Sequence, residues 1–412
     1  MAVSFLTLFF ALGTRFSFGI FYTAILAEYG WGRAETAGAF SLMMIFHALL
    51  SPISGILIDR IGPRKLFPIG GIIIGIGLIF SSFISEIWHL YVYFGLITAF
   101  GINTQSFAPH MSLIPRWFVR KKGLASGLVL SGNGTGTLIM AIIIGSIIDT
   151  AGWRVAFLTL AAFFFCLVVP INAILQRNGP EEVGQTIEGS GLSLGPREMH
   201  GAVSLEQKTE KPLAHKMWTF KAALQTKAFW CLVFMGFTQG IAINTLVVHL
   251  APHIVDLGFS RMLAASMVGL VGLLGSIGTI LFGLLSDRVG REPGYFMATA
   301  SGVLGILLLI LMGDASLSWL LYVIVMLYGL CQGGISSIFA AATGDIFSGK
   351  ALGRIISIQA VSFGLGGALG AYFGGYFFDR LGSYEIPFAI VLGSIIVSAL
   401  ALWFAEPRKA NN

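Results

Sequence analysis

Twelve apolar runs, each about as long as a bilayer is thick, divide this 412-residue chain. A helix needs about 20 mostly apolar residues to cross the hydrocarbon layer. Runs of that kind fall at roughly 4–27, 36–58, 66–85, 88–113, 123–148, 154–176, 227–254, 262–285, 294–313, 317–344, 351–378 and 384–405. Most breaks between them carry Gly, Pro or charge, as at Gly62-Pro63 and Glu292-Pro293-Gly294. The pattern predicts an all-α membrane protein of twelve transmembrane helices. Residues 1–176 form one six-helix bundle and 227–412 the other, with a polar linker at 177–226 that contains the run Glu206 to Lys211. The linker reads as a tether with at most one surface helix.

Composition narrows the class. The chain is 56% hydrophobic and 11% charged, where soluble domains have about 25% charged residues. Its 53 glycines suit close approach between spanning helices. Cys166, Cys231 and Cys331 all lie in apolar runs and read as small core residues, giving neither a disulfide framework nor a metal spacing. No cofactor or metal is expected. The first run has no basic lead-in and continues past Arg15, unlike a cleavable signal peptide. It begins almost at Met1, so either a very short N-terminus or an upstream start is expected.

Charge sets the orientation. Alternate loops divide the Lys and Arg 20 to 4, the smaller set being Arg33, Arg154, Arg261 and Arg380. The positive-inside rule then places both termini in the cytoplasm, in a plasma or bacterial inner membrane. The net charge of +6 comes from these loops and implies no nucleic-acid partner.

One cation remains. Arg15 sits near the middle of the first run, where a charge costs roughly 2.5–3.5 kcal/mol on insertion scales and so marks function. No Asp or Glu lies at mid-depth to neutralise it. A guanidinium facing a cavity attracts an anion, and its fork matches a carboxylate. The plain alternative is a hydrogen bond to backbone carbonyls or a helix C-terminus.

The halves repeat each other. Gly55 to Lys65, with Asp59, Arg60, Gly62 and Arg64, follows span 2, and Gly283 to Arg291, with Asp287, Arg288 and Gly290, follows span 8 at an offset of 228. Asp149-Thr-Ala-Gly152 and Asp379-Arg-Leu-Gly382 end spans 5 and 11 at an offset of 230. Duplicated halves of this kind mark secondary transporters with substrate held between them.

With those motifs the chain resembles the major facilitator superfamily, whose signature loop is the G-x-x-x-D-R-x-G-x-R-K at Gly55 to Lys65. The resemblance implies that Asp59, Arg60, Arg64, Asp287 and Arg288 act in a gate that pairs in one conformation and releases in the other. Within that superfamily the chain is similar to the monocarboxylate transporter and oxalate–formate antiporter branch. Ser17-Phe-Gly-Ile-Phe21 carries this likeness, as does Arg116-Trp117-Phe118-x-Arg120-Lys121-x-Gly123-Leu124-Ala125-x-Gly127 leading into Ser131-Gly132-Asn133-Gly134-Thr135-Gly136. One departure stands out: the branch places an arginine in span 8, and here Thr279 occupies about that position. Arg15 stands within about one residue of that branch's span 1 lysine, and the resemblance implies that it takes over the anion contact.

By the same resemblance spans 1, 4, 7 and 10 line the cavity. Their polar residues near mid-depth are Tyr22, Asn103, Gln105, Ser106, Asn244, Thr245, His249, Tyr328 and Gln332, which join Arg15 as candidate substrate contacts. Any one of them serves equally well as a helix–helix hydrogen bond. His47, His249 and His253 are candidate proton carriers, since histidine titrates near pH 6.5; a hydrogen-bonded neutral ring is the plainer reading of His47. The expected function is a secondary carrier of a small organic anion, a monocarboxylate, working as a monomer by alternating access, with symport and antiport both open. The alternatives are an exporter of drugs or lipophilic metabolites and a non-transporting sensor of the same fold. An enzyme is not expected, since the chain has no nucleophile–base pair, phosphate loop or metal cluster.

Overall fold

The computed structural model describes residues 1–117, 122–184, 218–347 and 351–407, and their regular structure is helical throughout. Among the described residues, eleven helices are long and apolar enough to cross a membrane: Ala2–Tyr29, Arg33–Ile58, Pro63–Ser81, Ala125–Ala151, Trp153–Leu175, Lys227–Asp256, Arg261–Val289, Arg291–Leu311, Ala315–Ile346, Leu352–Leu381 and Glu385–Ala405. These are spans 1–3 and 5–12. Span 4 crosses in pieces, Ile87–Leu90, the π-helical Tyr91–Thr98, Ala99–Thr104 and Phe107–Trp117, with a break at Gln105-Ser106. The break has a covalent cause. Pro109 has no N–H for the carbonyl of Gln105, and its ring crowds that carbonyl. Carbonyls on either side of the break take side-chain partners: Ser106 donates to the carbonyl of Asn103 at 2.8 Å, and the His110 ring bonds the carbonyl of Ser106 at 2.9 Å. Most of the expected linker, 185–217, lies outside the described residues.

Buried apolar side chains form two large cores. One is built from residues of the second half, around Phe229, Tyr295, Phe347 and Phe388. The other is built mainly from the first half, around Phe18, Phe40, Phe94 and Phe157. The duplication is visible in the backbone. Gly62 and Gly290, 228 residues apart, follow spans 2 and 8 with φ of 75° and 99°, which strains any residue with a Cβ.

The halves meet along spans 2 and 11 and along spans 5 and 8. Ser41 of span 2 donates to the carbonyl of Ala368 in span 11 at 2.7 Å. A Cβ on Gly364 would lie 2.6 Å from that of Ala48, so this glycine permits the approach. The hydrogen bonds and ion pairs that join Arg33, Ala34 and Ser41 to the second half lie between mid-depth and the side opposite the basic loops. The molecule is tied shut on that side.

Candidate substrate site and gates

Span 1 is pinched where Arg15 sits. Its helix runs Ala2–Phe16, turns at Ser17, and resumes at Phe18. Arg15 therefore occupies the last turn of a half-helix, whose C-terminal dipole favours a cation. Its side chain is buried, at 7% exposure. Nη2 donates to the sulfur of Met44 in span 2 at 3.1 Å, and the guanidinium lies 5.5 Å from the Phe16 ring. Thioether sulfur is a weak acceptor, and Nε has no protein partner. Unsatisfied buried donors of this kind cost roughly 1–3 kcal/mol, more for charged groups, and an anion would remove that cost.

Three other residues sit with Arg15. His47, one turn after Met44, is within electrostatic reach of Arg15 and lies beside Asn103 of span 4. The amide oxygen of Asn103 has no partner, nor does the hydroxyl of Thr14. Across in span 10, the hydroxyl of Tyr328 and the amide oxygen of Gln332 are likewise unpartnered, one helical turn apart. All these atoms lie near the middle of their spans.

The remaining candidates are placed elsewhere. Gln105 turns towards span 3 and donates to the carbonyl of Phe67 at 2.6 Å. Ser106 serves the break in span 4. Asn244 and Thr245 lean on the glycines of span 11, where Cβ atoms at Gly367 and Gly370 would each come within 2.6 Å of them. His253 packs its ring on Tyr384 and Phe388, inside the second bundle.

Tyr22 and His249 belong to a different construction, on the side opposite the basic loops. Arg33, at the start of span 2, reaches across to the other half and forks onto Asp256 at the end of span 7, with distances of 2.7 and 2.9 Å. Nη1 also donates to the Tyr384 hydroxyl at 2.6 Å, and the guanidinium lies 3.5 Å from the Phe378 ring. The carboxylate of Asp379, at the end of span 11, accepts from the backbone N–H of Arg33 and of Ala34, both at 2.8 Å. Asp379 thus caps span 2 from the opposite bundle, satisfying two of the donors a helix start leaves free. Tyr22 donates to the carbonyl of Arg33 at 3.0 Å. His249 must donate from Nε2 to the carbonyl of Ala371 at 2.8 Å, so Nδ1 accepts from Tyr384 at 3.2 Å. With both ring nitrogens engaged, His249 serves this outer closure and stands apart from Arg15.

On the basic side the expected gate is described in part. The side chain of Asp59 lies outside the described residues, while Arg60, Arg64 and Arg288 are exposed. The turn at Gly62 is held by Asn178, whose amide oxygen sits against Gly62 and 3.5 Å from the Arg64 backbone nitrogen. Hydrogen bonds from Asn178 hold the Glu182 carboxyl below the ordinary carboxylate range. In the second half Arg291 joins Asp287 to Asp345, the latter at 2.7 Å. These contacts stay within one bundle.

A family model for the Major Facilitator Superfamily matches residues 4–340 and again 315–412. The chain belongs to the major facilitator superfamily. This facilitator is 26% identical to human monocarboxylate transporter 11 over 406 residues, covering 95% of the chain and 79% of that protein. It is 28% identical to mouse monocarboxylate transporter 11, over 95% and 83%. It is 26% identical to rat monocarboxylate transporter 13, over 96% and 85%. Among solved structures, a bacterial homologue of the human lysosomal transporter Spinster, inward-facing and unoccupied, superposes with a TM-score of 0.71. That match covers 100% of this chain and 96% of the other at 15% identity, and shows the shared fold.

Sequence reasoning missed the outer closure, three residues near mid-depth and one nearer the basic side. Met44, Thr14 and Asn133 carry no signal beyond lying in apolar runs, although Asn133 stands in the polar run Ser131 to Gly136. His110, buried with Nε2 unpartnered and stacked on Phe67, was legible as a histidine in a span.

Proposed function

We propose that this facilitator carries a small organic anion, a monocarboxylate, by alternating access, with Arg15 as the anion contact. The observation that carries the reading is the buried guanidinium of Arg15, which has a sulfur for a partner, no neighbouring carboxylate and an unpartnered Nε. The names of its relatives point to the same substrate class. Asn103, Tyr328 and Gln332 supply further polar contacts, one from the first half and two from the second, so a bound anion favours closure of the halves around it. The closed outer side supports reading this as the inward-facing member of the cycle, with the basic loops in the cytoplasm. Asp59, Arg60, Arg64, Asp287 and Arg288 re-pair when the inner side closes.

Of the three histidines, His47 is the proton carrier we favour, because it shares the Arg15 and Asn103 neighbourhood. An anion on Arg15 offsets the positive charge facing His47, so anion and proton each favour the other's binding.

The test is uptake of labelled short-chain carboxylates by cells expressing Arg15→Ala. Uptake is expected to vanish while surface expression holds. Normal uptake in this variant would remove the anion contact, and uptake of lipophilic compounds independent of Arg15 would favour an exporter.

A further inference from the structure

A second cavity opens sideways, between spans 7, 11 and 12. It has a volume of about 270 Å³, and its walls include Phe237, Ile241 and Thr245 of span 7, Gly370 and Phe377 of span 11, and Ile390 of span 12. The lining is apolar except for Thr245, whose hydroxyl is committed to the carbonyl of Ile241 at 2.7 Å. Water gains little in such a space. The groove runs from mid-depth to the outer end of the spans, and partly exposed Ile390 stands at its edge.

The two halves differ in sequence along this groove. At the 230-residue offset, Met140 and Ile144 of span 5 correspond to Gly370 and Gly374 of span 11. At the 228-residue offset, Gly13 and Phe21 of span 1 correspond to Ile241 and His249 of span 7. The Met140 side chain packs on Gly13, while Gly370 lies against the Ile241 backbone and the Thr245 hydroxyl. At the next turn Ile144 and Phe21 of the first half are fully buried core, whereas Gly374 lies against the His249 ring, where a Cβ would clash, and also lines the groove.

Arg380 stands at the outer end. It follows Phe377 by one turn of span 11, is exposed, and lies 4.7 Å from the Tyr376 ring. It is one of four Lys and Arg on this side of the chain. At the bilayer interface, an exposed guanidinium one turn beyond a residue that lines an apolar groove matches a phosphate above an acyl chain.

We infer that this groove holds one phospholipid, with an acyl chain between spans 7, 11 and 12 and its phosphate at Arg380. The chain would lie against the spans that carry His249 and Asp379, so the lipid braces the outer closure.

The test is native mass spectrometry of the detergent-purified, delipidated protein titrated with palmitoyl-oleoyl phosphatidylglycerol, phosphatidylcholine of the same chains, or oleic acid. The wild type is expected to retain one phospholipid of either class and to bind oleic acid more weakly. Ile390→Trp should lower retention about tenfold, the equivalent of roughly two buried methylene groups. Arg380→Gln should lower phospholipid retention while leaving oleic acid unchanged. Both changes lie at the open rim, and uptake in the same variants reports that the protein is folded. Retention equal to wild type in Ile390→Trp would overturn the chain site. A loss in Ile390→Trp with none in Arg380→Gln would overturn the phosphate contact.

Discussion

At the scale of single residues, the chemistry turns on a charge held by weak partners. A carboxylate beside Arg15 would neutralise it and leave no reason to bind an anion. A fully apolar surround would expel it. A half-helix C-terminus, the Met44 sulfur and the edge of Phe16 lie between those limits. Met44→Leu keeps the volume and removes the sulfur, so the guanidinium is freer to take a ligand. It is expected to retain uptake, with apparent affinity within about tenfold of wild type, since the contact is a weak hydrogen bond. Complete loss of uptake in a well-expressed Met44→Leu would mean that the sulfur positions Arg15. His47→Gln is expected to abolish accumulation driven by a pH gradient while sparing exchange of labelled for unlabelled substrate. Accumulation that survives in His47→Gln would place coupling on the substrate's own proton or on another group.

At the scale of elements, most of the architecture could be read from the chain, for a physical reason. A bilayer imposes one length and one polarity on every span, so eleven helices coincide with apolar runs to within a few residues. Span 4 was found as a run but not as four pieces, although Pro109 is the local sign of its break. The buried polar residues were less legible. Hydropathy reports depth, not azimuth, so Asn103, Gln105 and Asn244 looked alike. The structure separates them by the neighbour each one faces. Asp379 was visible only as half of a repeated turn. Its partners are backbone N–H groups 346 and 345 positions away, and no side-chain pattern encodes such a bond. Losing a helix cap costs about 1 kcal/mol, roughly a fivefold change in a two-state equilibrium. Asp379→Ala should therefore shift the resting population towards the outward-open form by about that factor. Labelling of a cysteine introduced beside the outer closure measures this, and with three native cysteines to replace the background is easily cleared. Labelling at the wild-type rate would show that the cap does not restrain opening.

At the scale of the whole molecule, the two halves are related by duplication yet close asymmetrically. Arg33 and Glu28 of the first half correspond, 228 residues on, to Arg261 and Asp256 of the second. Symmetry would let both arginines cross. Glu28 is instead taken within its own bundle, by Arg154 at 2.7 Å and by the Trp153 indole at 2.6 Å. Only the Arg33 side is tied across the interface among the described residues. At its outer end the closure includes one charge pair and one backbone cap, and these are separable. Asp379 binds the backbone of span 2, so it is indifferent to the side chain at position 33. Arg33→Ala and Asp256→Ala should each speed outer-side labelling. Exchanging the charges, as R33D with D256R, should recover part of the closure by restoring the pair. Recovery is incomplete because the stacking on Phe378 and the bond to Tyr384 belong to the guanidinium at position 33. The same exchange in an Asp379→Ala background should remain open, since the cap is lost independently. A double exchange no slower to label than either single variant would mean that the Arg33–Asp256 pair is incidental to closure, leaving the cap and the Ser41–Ala368 contact to hold the outer side.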